Sequence, residues 1–94
     1  MATKEYSQDS MTALICRIIY NLFEKHAEPD SDLNEDLELD SLDRMDILVD
    51  VEKELGYEEN ELSFDKEQQK AFAECKTPSD LAKFFLEIYN ARLQ

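Results

Sequence analysis

Asp40-Ser41-Leu42-Asp43-Arg44-Met45-Asp46-Ile47-Leu48-Val49-Asp50-Val51-Glu52-Lys53-Glu54-Leu55-Gly56 decides how this chain of 94 residues is read. Asp40 stands at an N-cap position, and Asp43 three residues on approximates a capping box. Both carboxylates suit the positive start of a helix. Leu42, Met45, Val49 and Glu52 follow one stripe, while Leu48, Val51 and Leu55 lie beside it. Gly56, the single glycine, falls where a left-handed residue ends a helix. The stretch predicts one helix with both of its ends written in the sequence.

Upstream, residues 27–39 form a long connection whose buried-type side chains are Leu33, Leu37 and Leu39. Loops of this length without structure of their own are uncommon and usually functional or mobile. Before it, Met11, Leu14, Ile15, Ile18 and Leu22 repeat at helical spacing, widened by Ile19 and Phe23. That helix takes Asp9 or Ser10 as its cap and ends near Lys25-His26, before Pro29. Residues 1–8 are polar and without period, a frayed lead-in to a single domain over 9–94.

Downstream, Phe64 and residues 65–74 suggest a short third helix with little apolar content. A last helix opens at Thr77-Pro78-Ser79-Asp80, with Thr as cap and Pro in the first turn. Leu81, Phe84, Phe85, Ile88 and Tyr89 supply its inward stripe, and Phe72 joins them as core. No segment alternates at period two long enough to be a strand. The fold class is all-α, a small bundle of three main helices and one short one.

Acidic residues number 23 and basic ones 10, for a net charge of −13. The flanks 1–27 and 63–94 are each balanced, so the whole excess lies between Glu28 and Leu62, where only Arg44 and Lys53 are basic. A solvated acidic face is the commoner origin of such a run. Here the run surrounds the one chemical motif of the chain. Nucleic acid and anionic membranes are repelled, and a basic protein surface is attracted. The longest uncharged apolar stretch is Ala13-Leu14-Ile15-Cys16, too short to span a bilayer. Met1 to Gln8 does not read as a secretory signal. Cys16 and Cys75 make no disulfide framework and no metal-site spacing, which points to packed thiols in the cytoplasm.

Ser41 sits in the first turn of the second helix, after the long loop. A helix start stabilises an anion, so a phosphate ester would be well placed there. Catalysis by the same hydroxyl needs a base, and the single histidine, His26, follows the first helix with no sequence relation to it. The Gly-x-Ser-x-Gly elbow is absent, and the acidic surroundings oppose an oxyanion. The serine reads as a modified residue and the protein as no enzyme.

Asp40-Ser41-Leu42-Asp43 resembles the signature of the acyl carrier protein family, in which an Asp-Ser-Leu triplet opens the second of four helices. The likeness is specific from Leu37 to Gly56 and extends by helix order over roughly residues 9 to 92. It implies that Ser41, framed by Asp40 and Leu42, receives 4′-phosphopantetheine from coenzyme A through a phosphopantetheinyl transferase. The arm would carry acyl or aminoacyl groups as thioesters to acyl-transfer, ligase or synthase enzymes of fatty-acid, lipid or polyketide-type biosynthesis.

The resemblance also makes the second helix a recognition surface for basic patches, through Asp40, Asp43, Asp46, Val49 and Glu52, on a chain acting as a monomer. Three departures bear on partner choice: Glu38 stands where carriers commonly have Gly, Arg44 where an uncharged residue is usual, and Lys53 where a second acid is frequent. Met45 reads as a packing residue. A non-loaded acidic interaction or scaffold subunit is the alternative. A calcium loop is not, because Asp30-x-Asp32-x-Asn34 continues with Glu35 at the Gly position and Ser41 at the Glu position.

Overall fold

The computed structural model describes residues 5–58 and 61–93. Among them the chain forms four helices and no strand: α1 (Gln8–Phe23), α2 (Ser41–Glu54), α3 (Lys66–Glu74) and α4 (Pro78–Leu93). The all-α bundle expected from the sequence is the fold.

Helix α1 starts earlier than its apolar period announces. Ser7, not Asp9 or Ser10, is the cap: the Ser10 N–H donates to Ser7 Oγ at 3.1 Å and the Ser7 N–H to Ser10 Oγ at 2.8 Å. Polar first-turn residues extend the helix ahead of Met11, where periodicity cannot register them. The far end also comes early, since Glu24 turns left-handed (φ 57) and donates its N–H to the Tyr20 carbonyl. Leu22, in the last turn, is exposed, whereas Met11, Ile15 and Ile19 are fully enclosed. The described part of the lead-in is engaged: Tyr6 meets Tyr89 edge-on at 5.4 Å, and the Gln8 amide donates to the Ser79 carbonyl at 3.1 Å.

The connection between α1 and α2 is long but pinned. Leu33, Leu37 and Leu39 are all buried as expected. The Leu33 N–H donates to the Lys76 carbonyl at 2.7 Å, the Leu39 N–H to that of Leu33 at 2.8 Å, and the Ser79 N–H to that of Pro29 at 3.0 Å. Backbone groups that a helix would satisfy internally are satisfied here by the start of α4 and its approach.

Helix α2 ends in a Schellman arrangement, with the Tyr57 N–H on the Glu52 carbonyl (2.8 Å) and the Gly56 N–H on that of Lys53 (3.2 Å). Gly56 is left-handed there, with φ 83. Asp65 and Gln68 box the start of α3. Thr77 Oγ1 accepts the Asp80 N–H at 3.1 Å while Asp80 holds the N–H groups of Lys76 and Thr77, so α4 begins where the sequence places it.

Helix α1 packs chiefly on α4 and then on α2, whereas α3 meets the bundle mainly through α4. Phe85, Met11, Ile15, Ile18, Leu81 and Val51 are buried almost completely, each contributing roughly 1.5–3 kcal/mol. Phe64, Phe72, Phe84 and Phe85 join in edge-on and tilted contacts at 5.2–5.9 Å between centroids, fastening α3 to α4. No described helix is long and apolar enough to cross a membrane.

Candidate modification site and docking face

Ser41 is the first residue of α2 and is exposed. The expected capping box forms next to it: the Asp43 N–H donates to Asp40 Oδ1 at 2.9 Å, and the Asp40 N–H to Asp43 Oδ2 at 3.1 Å. Both carboxylates are thus committed to the helix start. A helix leaves its earliest N–H groups without internal partners, and here the Asp40 carboxylate takes up that of Asp43. The single histidine lies elsewhere, its ring tilted against Tyr20 at 4.9 Å.

The loop before the serine is stiffened by its own acids. Asp32 Oδ1 accepts the N–H groups of Asn34 and Glu35 at 2.8 and 2.7 Å, and Asp36 Oδ2 accepts the Asp32 N–H at 2.8 Å. The Glu35 N–H foremost, and then that of Asn34, hold the Asp32 carboxyl below the usual carboxylate range. Among the described residues no cluster of His, Cys, Asp or Glu is gathered to hold a metal ion. Glu38 is left-handed at φ 54, which explains why glycine suits this position. Lys25 supports the strained peptide by donating to the Leu37 carbonyl at 2.6 Å.

The helix face differs from expectation at three residues. Glu52 is not a surface acid: it is 1% exposed, and its Oε2 accepts the Leu62 N–H at 2.9 Å. Its carboxylate organises the turn after α2 and is withdrawn from docking. Arg44 is likewise buried, donating to the Phe72 carbonyl at 3.1 Å and to Asn34 Oδ1 at 3.4 Å. Its guanidinium is therefore not itself offered to a partner, although its charge still acts on Asp32 of the loop. Met45 is not packed away but half exposed, and Leu42 is 74% exposed.

What remains outward is Leu42, Met45 and Asp46, with Val49 and Asp43 partly covered and Lys53 exposed. The signal for this was present: α2 carries apolar residues on two faces, more than one buried stripe requires. Arg44 also shares the spacing of Ile47, Leu48 and Val51, the buried set.

A groove of about 490 Å³ opens between α2 and α3, lined mostly by apolar side chains (Met45, Leu48, Val49, Leu62, Phe64 and Phe72), with Glu52, Ser63 and Gln69 as its polar members. Met45 is one turn along from Ser41, so hydroxyl and groove share one side of α2. The family model for the phosphopantetheine attachment site matches residues 9–85. The chain belongs to that family. No curated protein and no solved structure gives a match.

As a carrier domain it is of a non-catalytic kind whose prosthetic group, 4′-phosphopantetheine, is covalently attached. The residues present fit such a group: an accessible hydroxyl at a capped helix start, with an apolar cleft on the same side of the helix. When bound, the group supplies a terminal thiol that holds cargo as a thioester. The carrier's own thiols are poor competitors. Burial raises Cys16, and burial above all raises Cys75, to about 11.

Proposed function

We propose that this protein is an acyl carrier loaded at Ser41, with Asp40 and Leu42 fixing that serine at the head of α2. In the transferase, Ser41 Oγ bonds to the pantetheine-side phosphorus of the coenzyme A diphosphate as the P–O bond to the adenosine half breaks. Adenosine 3′,5′-bisphosphate leaves, and the serine proton passes to a base of the transferase. The observation that carries this is the exposed Ser41 one turn above an apolar groove on the same side of α2.

The lining is mostly apolar, with Glu52, Ser63 and Gln69 as its polar members, and each methylene removed from water there contributes about 0.8 kcal/mol, which supports acyl cargo. Leu42, Asp46 and Val49, with Asp43 at the margin, form the surface offered to basic patches of acyl-transfer, ligase or synthase enzymes of fatty-acid, lipid or polyketide-type biosynthesis. The concentrated field steers such encounters and fades with salt. We place the carrier in the cytoplasm, with its coenzyme A, as a monomer.

Intact mass after incubation with coenzyme A, magnesium and a broad-specificity transferase tests the assignment. A gain of one phosphopantetheine that vanishes completely in Ser41→Ala is expected. An unchanged mass with several transferases would instead identify an acidic four-helix scaffold subunit that is never loaded.

A further inference from the structure

Arg44 is the feature the carrier function does not absorb. Taking a guanidinium out of water is costly unless its donors are used, and here they reach two neutral oxygens on two other segments. One is Asn34 Oδ1 in the loop before Ser41. The other is the carbonyl of Phe72, in the last turn of α3, where a cation is favoured by the helix dipole. The planar fork suits the two directions at once, and the ammonium of a lysine would not.

Phe72 is also a wall of the groove. Its ring packs with those of Phe64, Phe84 and Phe85, while its carbonyl is held from α2 by Arg44. On its other side α3 borders a second depression of about 520 Å³, lined by Ala71, Phe84 and Ile88 among others. Space therefore flanks the short helix on both sides. Moving α3 away from α2 would lengthen or break the bond at Phe72.

We propose that Arg44 is a positioning residue that holds α3 at one spacing from α2 and so limits the length of acyl chain the groove accepts. This rests on the acyl-carrier assignment. Removing the fork frees the end of α3, deepens the groove and admits longer chains. The Phe72 carbonyl keeps a second donor, the Cys75 N–H at 3.3 Å, so the loss leaves no buried oxygen without a partner.

The test loads wild type, Arg44→Met and Arg44→Lys with butyryl-, hexanoyl-, octanoyl-, decanoyl-, dodecanoyl- and myristoyl-coenzyme A, using a broad-specificity transferase. The thermal midpoint of each acyl form is then compared with that of the unacylated holo form of the same variant. In wild type the gain should rise with chain length and level off. In Arg44→Met the levelling point should shift to a longer chain, with Arg44→Lys between. Levelling at the same length in all three, even if every midpoint falls, assigns Arg44 a merely structural role and overturns the proposal. So does a wild-type midpoint indifferent to chain length, although the protein is loaded. Absence of any mass gain in the three proteins would overturn the carrier assignment itself, and the proposal with it.

Discussion

Helices α1 and α4 meet over Met11, Ile15, Ile18, Leu81 and Phe85, all essentially without exposure, and the sequence around them is balanced in charge. Helices α2 and α3 meet across a groove of about 490 Å³, on the segment that holds the entire acidic excess. The first pair is closed, whereas the second leaves open surface even though Leu33, Ile47, Leu48, Val51 and Phe72 of that half also enter the core. The price is visible locally: a left-handed Glu38, a buried Arg44 and an exposed Leu42 all lie in or around α2.

The largest effect should come from breaking the tight half. Phe85→Ala is expected to lose about 3–5 kcal/mol in urea unfolding, as a buried aromatic leaves a cavity. Phe64→Ala, at the half-covered rim of the groove, should lose clearly less. Equal losses would mean that the two halves are packed alike.

Next comes the strained peptide. Glu38→Gly should raise stability by about 0.5–1 kcal/mol, since the left-handed penalty of about 1–2 outweighs the unfolded-chain freedom glycine adds. The exposed Lys25–Glu38 pair at 4.0 Å offers little to lose. A lower thermal midpoint would show that Glu38 is held by more than its backbone.

The smallest effect concerns the charged surface. Asp46→Lys should slow transferase loading by about two- to fivefold at low salt, with the gap closing as salt rises. Unfolding should be unchanged, because Asp46 is exposed. Loading at the wild-type rate would detach the acidic surface from recognition.

Much of this architecture was legible because it is local. Asp40, Gly56 and Thr77 mark helix ends through hydrogen bonds that span only a few residues, and the three loop leucines announce burial by standing alone among acids. Ser7 was not legible, because a cap beside polar residues leaves no periodic trace. The place of Ser41 in the first turn of a helix after a long loop was legible, a relation that sequence order alone supplies.

By itself, then, the sequence determined the helix order, the capped start of α2, the charge imbalance and the motif around Ser41. Only the tertiary structure decided which charges count as surface. Glu52 reads as a docking acid and Arg44 as a charge bearing on partner choice, yet both are buried, because backbone groups of Leu62 and Phe72 on later segments take up their side chains. Met45 reads as a packing residue and is half exposed, because α3 stands off from α2 and leaves a groove that Met45 lines. Burial is a property of what packs against a residue, and no residue carries that in its own chemistry.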